Sequence, residues 1–290
     1  MADSKSDNKT MNIEVSPLKD NINKVSGNIV SEMKALVDDP LSVFSQADPL
    51  KEQINKFGSE ATDEEKELLN QATDDYTKIK SAQKNIHKSL DEIGSIFDEK
   101  TRRGIELSEN ARKIESKIDE INKHLDEYDR KCNLLTEKGD DKVEAEDTWE
   151  EKARIQMTKL KYAKNNLNSS LIKIHLLQEK LDAAENEVTE KLDALVKKVF
   201  VVAVPPPESA KEIKEKMGEL KEKACDLDEC INNIKTFASD VFSSLFEGIK
   251  EISSTILGQL KTADTALEES RTVLNAYPDP VLTAGRNMRY

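Results

Sequence analysis

Over 290 residues the chain carries 35% charged and only 4% aromatic residues, with 9 Gly and 8 Pro. That balance suits long helices burying a narrow apolar stripe, and it excludes a thick-cored compact domain. A net charge of −13 gives a nucleic-acid or polybasic-lipid role no global electrostatic support, although a basic patch can still hide locally.

Residues 1–12 read as a polar tail, and Met1 to Thr10 contains no apolar signal-peptide core. No run of about 18 apolar residues exists, so no standing transmembrane helix is expected. The three cysteines, Cys132, Cys225 and Cys230, are odd in number and lie on helical patterns, which fits a reducing compartment. The expected location is cytoplasmic as synthesised, or released without a standard signal peptide. The sequons at Asn8 and Asn168 are then expected to go unused.

Residues 13–60 predict short amphipathic helices packing on a larger bundle. Pro17 opens a stretch with Leu18, Ile22, Val25, Ile29, Met33 and Leu36 on one face, and Pro40 closes it. Leu50, Ile54 and Phe57 predict one more short helix. After Pro49 no proline occurs until Pro205-Pro206-Pro207, and then none until Pro278. Interior proline costs a helix about 3 kcal/mol, so these positions mark where helices stop.

The bundle is predicted over 61–276. Its first helix, 62–137, keeps one 3-4 apolar register from Leu69 through Phe97, across Lys100 and Gly104, and on from Leu107 to Leu135. The spacing predicts one helix with a weak or kinked point at Lys100–Gly104. Thr62 with Glu65 forms a capping box, and Gly139 with Asp140-Asp141 is a stop. A second stripe runs from Trp149 through Leu160, Leu167, Ile174, Leu181 and Val188 to Leu195, predicting a helix over 146–200. A third helix, 208–276, carries Ala210, Ile213, Met217 and onward to Val241 and Leu245, then shifts by one position to Ile249 and Ile252. Such a shift is a stutter, which locally unwinds a supercoil. Short connections make neighbours antiparallel. The expectation is therefore all-α: an elongated antiparallel bundle of three very long coiled-coil helices plus shorter N-terminal helices. Residues 277–290 read as a C-terminal tail.

Candidate chemistry is thin. His87, His124 and His175 lie far apart and belong to no metal-binding pair, so they read as surface histidines. Cys225 and Cys230, five apart on a helix, face different ways and read as buried or half-buried free thiols. No phosphate loop, nucleophile elbow or dinucleotide fingerprint is present. The alternating charges of Lys211-Glu212-Ile213-Lys214-Glu215-Lys216 read as a solvated flank. No enzyme, cofactor or metal site is expected, and no nucleic-acid partner.

Two features rise above this background. The first is the tip at 199–207: Val199, Phe200, Val201, Val202, Ala203 and Val204 are six consecutive apolar residues ended by three prolines. β-branched runs favour extended backbone, and the residue before proline leaves the α region. Such side chains either fold back onto a helix end or neighbouring segment, or are held out for a membrane or partner. The second is 236–260, where only Asp240, Glu247, Lys250 and Glu251 are charged and Phe237, Phe242 and Phe246 supply three of the chain's seven phenylalanines. It reads as a wide stripe covered on several sides, or as a face released in lipid or to a partner.

Taken together, the long antiparallel helices, the charged body low in aromatics, the missing signal peptide and the apolar tip resemble the α-helical pore-forming toxins. The similar families are cytolysin A, the haemolysin BL components and the xenorhabdolysin-type two-component toxins. The resemblance covers roughly 62–276 and is one of architecture, with no family-specific motif matched. It implies a soluble, non-enzymatic protein that oligomerises, alone or with a partner helical subunit, and engages membrane lipid through a bundle end. By position, Val199 to Val204 is the segment it points to. Six residues cannot span a bilayer, whose core needs about 20 helical residues. Two other classes remain open: a coiled-coil structural or adaptor protein, and a membrane scaffold similar to the BAR domains.

Overall fold

The structure is a computed structural model that describes residues 26–137, 144–201 and 203–278. The predicted tail 1–12, the apolar positions Leu18, Ile22 and Val25, the stop at Gly139 and residues 279–290 lie outside the described residues, as does Val202.

The described chain is an all-α bundle. Its helices are α1 (Ser26–Val37), α2 (Ala47–Phe57), α3 (Asp63–Thr136), α4 (Glu144–Asp193), the single turn α5 (Val196–Val199) and α6 (Ala210–Asn275). Helix α3 is continuous over 74 residues, so the register through Lys100 and Gly104 does belong to one element. The second helix stops short of the expected 146–200 span: Ala194-Leu195 interrupt it before α5.

The start of α3 is fixed by the capping box. The Thr62 backbone N–H donates to Glu65 Oε2 at 2.8 Å, and the Glu65 backbone N–H donates to Thr62 Oγ1 at 3.3 Å. The Thr62 backbone bond holds the Glu65 carboxyl below its ordinary range, with help from the Thr62 hydroxyl.

The chain divides into two compact units, one of Met1–Thr101 with Ala184–Val241, the other of Arg102–Ala183 with Phe242–Tyr290. In the first, α3 and α6 run parallel. Lys221 pairs with Asp75 at 3.4 Å, Asn85 donates to Asp228 at 3.1 Å, and Lys235 pairs with Glu92 at 3.4 Å, so position rises along both helices together. Ile79, Ile86, Leu90 and Ile93 of α3 and Ile213, Met217 and Ile231 of α6 are fully buried. Met33 and Val37 of α1 and Leu50 of α2 join them, so the N-terminal helices do pack on this part of the bundle. Lys100 occupies a core position of the α3 heptad at 3% exposure, and its ammonium reaches Glu185 at 2.6 Å.

In the second unit all three helix pairs can be oriented. Asn110 with Ser253, Tyr128 with Ser270 and Lys131 with Leu274 set α3 parallel to α6. Ser170 with Gln259 and Trp149 with Val273 set α4 antiparallel to α6, and hence to α3, which it meets where Gln178 donates to Ser108. Trp149 lies between Tyr128, 6.1 Å away, and the edge-on ring of Tyr277 at 4.9 Å. Gly104 is buried on α3, yet a Cβ built there would meet nothing within 4 Å.

The stutter of α6 falls earlier than the spacing suggested. The buried stripe steps from Ile234 to Ala238 to Phe242, two successive steps of four, while Val241 is only half-buried. From Phe242 it proceeds to Ile249, Ile252 and Ile256. Phenylalanine, bulkier and more apolar than valine, takes the inward position where the register changes.

Candidate functional site

The tip segment is built by two stretches of chain that meet. One is the connection from α4 to α6. After α5 the backbone at Phe200 turns extended, with φ −88° and ψ 145°, as a β-branched run leading into three prolines should. The other is the loop between α1 and α2, where the Asp39 carboxylate accepts from the Leu41 N–H at 2.8 Å and opens a turn after Pro40. The two stretches pair antiparallel at Ser42 and Phe200. The Val43 N–H donates to the Val199 carbonyl at 2.9 Å, and the Val201 N–H donates to the Leu41 carbonyl at 3.2 Å. Gln46 clamps the far end: its Oε1 accepts from the Val204 N–H at 3.0 Å, and its Nε2 donates to the Pro40 carbonyl at 2.7 Å. The last proline run is tied as well, since Lys216 donates to the Pro205 carbonyl at 3.0 Å.

This pairing sorts the apolar run by depth. Val199 is fully buried, with Ser42, Val43 and Phe44 also at zero exposure. Phe200 stays 36% exposed, Val201 and Val204 are half-buried, and Leu41 from the opposing stretch is 50% exposed. Of the predicted contact residues, then, Val199 faces inward, while Phe200, Val201 and Val204 keep surface and gain Leu41 as a neighbour.

The charge-poor stretch is divided between the units. Phe237, in the first, is half-buried under the Lys191 ammonium, 4.7 Å above its ring. Phe242, in the second, is 1% exposed and belongs to the core, with Phe246 half-buried against it at 5.8 Å. The hydroxyl-rich face of this stretch makes polar contacts: Ser253 donates to Glu106 Oε1 at 2.7 Å. Burial pushes the Glu106 carboxyl up, but the Ser253 hydroxyl and the Arg103 guanidinium outweigh it and leave it below the ordinary range.

The histidines are half-buried, more so than surface groups would be. His87 Nε2 lies 3.0 Å from Asp38, and His124 Nδ1 lies 2.8 Å from the Ser270 hydroxyl. Burial lowers the His124 pKa. Cys225 is exposed, contrary to the burial expected from its helix position, and Cys132 and Cys230 are intermediate. Among the described residues no group of three or more His, Cys, Asp or Glu is placed to hold a metal ion.

Reading by runs missed one surface. On α4, Ile155, Tyr162, Ile172 and Leu176 are all at least half-exposed, Tyr162 at 65% and Ile172 at 61%. They share a face, which the six-residue apolar run at the tip overshadowed.

No protein-family model, curated protein or solved structure matches the chain. What is established is therefore the class, an all-α bundle of very long helices, with two apolar surfaces read from its own residues.

Proposed function

We propose that the chain is a non-enzymatic helical-bundle component of a membrane-engaging oligomer, of the kind the α-pore-forming toxins represent. Its contact with lipid runs through the paired tip segments. The observation that supports this is the surface kept by Leu41, Phe200, Val201 and Val204 on two stretches paired by a few hydrogen bonds. Turns are ordinarily polar because water surrounds them. Among the described residues no helix is long and apolar enough to cross a membrane, so the contact proposed is interfacial, with any span supplied by another subunit.

Flotation with phospholipid vesicles tests the reading. Wild-type protein should float with the vesicles, and Phe200→Asp with Val204→Asp should cut the bound fraction several-fold while leaving helicity unchanged. Equal flotation of the two proteins overturns the tip as the contact, and a wild type that stays at the bottom of the gradient overturns membrane engagement itself.

A further inference from the structure

The exposed face of α4 carries an uncharged heptad pattern. At heptad spacing it presents Ile155, Thr158, Tyr162, Asn165, Ser169, Ile172 and Leu176, and all seven are exposed. None is charged, in a chain where 35% of residues are. The core seam of the same helix, Leu160, Ala163, Leu167, Ser170 and Ile174, points roughly the opposite way, so neither α3 nor α6 of this unit covers the stripe. Two of its polar members are already satisfied within α4. The Thr158 hydroxyl donates to the Arg154 carbonyl at 2.9 Å, and the Ser169 hydroxyl donates to the Asn165 carbonyl at 3.0 Å.

Charge follows the same face. From Lys152 to Gln178 the sequence holds Lys152, Arg154, Lys159, Lys161, Lys164 and Lys173 and not one Asp or Glu, although the whole chain is at −13. By helical position Lys152, Lys159 and Lys173 border one edge of the stripe and Arg154 and Lys161 the other. Arg154 is paired with Glu150 and Lys159 with Glu269. Lys152, Lys161, Lys164 and Lys173 make no ion pair among the described residues.

We infer that this face, 155–176 of α4, docks on an anionic phospholipid bilayer. An apolar stripe bordered on both sides by unpaired lysines is the layout of a helix lying in the membrane interface. There the apolar residues enter the headgroup–acyl boundary, and the lysine stems extend toward the phosphates. A dry seam with another helix fits less well: only four of the seven positions are large and apolar, and Asn165 at the centre would lose its water. At headgroup depth Asn165 stays hydrated. The inference rests on the membrane part of the reading above and not on the tip.

The test uses the full chain with two vesicle types, pure phosphatidylcholine and phosphatidylcholine with phosphatidylserine. Binding should favour the phosphatidylserine vesicles and weaken as salt rises. Lys152→Glu, Lys161→Glu and Lys173→Glu together should reduce partitioning by at least about ten-fold. Tyr162→Ser with Ile172→Ser, which leaves charge unchanged, should reduce it several-fold. All five positions are exposed, so circular dichroism should match wild type. Unchanged partitioning of both variants, or equal binding to the two vesicle types, overturns the inference. So does a loss of self-association in sedimentation with vesicle binding intact, which would assign the face to a protein partner. Loss of binding in the tip variant alone overturns it while supporting the tip; loss in the face variants alone does the reverse.

Discussion

The tip and the outer face of α4 both show apolar side chains to water, but they are made differently. At the tip the apolar residues are consecutive, and folding has covered the first of them: Val199 is fully buried while Phe200 beside it is not. On α4 they are four to ten residues apart, separated by lysines, and each stays exposed. A run of apolar residues thus overstates the surface it provides, because neighbours in an extended segment point alternately in and out. A helical stripe loses nothing that way, since residues spaced three and four apart share one face.

Substitutions along each surface can break this contrast. The largest effect is expected at the tip's buried member: Val199→Asp should destabilise the fold by about 4 kcal/mol in urea unfolding, because a carboxyl would replace a fully buried valine. Phe200→Asp should stay within about 1 kcal/mol. Equal effects would mean the pairing of the two stretches does not sort the run by depth. Lysines offer the next comparison. Lys100→Met should lower stability by about 3 kcal/mol by stranding the buried Glu185 carboxylate, and the same change at exposed Lys161 should be near zero. A neutral Lys100→Met, read by thermal melting, would show that the buried pair adds nothing beyond what a methionine stem provides. The smallest effect belongs to the α4 stripe itself. Tyr162→Ser or Ile172→Ser should change stability by under about 0.5 kcal/mol, and a loss above 1 kcal/mol for either would reveal that the stripe is covered.

Much of the fold could be read from spacing because heptad periodicity is a local signal. Helix α3 keeps its 3-4 phase from Leu69 to Leu135, and no competing residue type breaks it. The Thr62–Glu65 cap was legible for the same reason. The break at Ala194-Leu195 was not, since neither residue is a helix breaker and the stripe continues through Leu195 to Val199. The stutter, expected at the step from Leu245 to Ile249, falls instead at the step from Ala238 to Phe242, because Val241 and Phe242 are both apolar and periodicity alone does not rank them. The burial of Val199 accompanies a pairing of its stretch with the 41–46 loop, as in the bond of Gln46 with Val204, 158 positions apart, which no local pattern encodes. The α4 face did leave a trace in the sequence: a stretch of 27 residues without an acidic side chain, inside an acidic protein.

The aromatic cluster around Trp149 has a spectroscopic consequence. It is the chain's one tryptophan, its indole N–H bonded to the Val273 carbonyl at 2.8 Å, with Tyr128 and Tyr277 beside it. Fluorescence excited at the indole band reports on the second unit alone, while far-ultraviolet dichroism averages over every helix. Unfolding curves recorded by the two probes coincide only if the units melt together. Their separation would time the loss of each unit without any label being introduced.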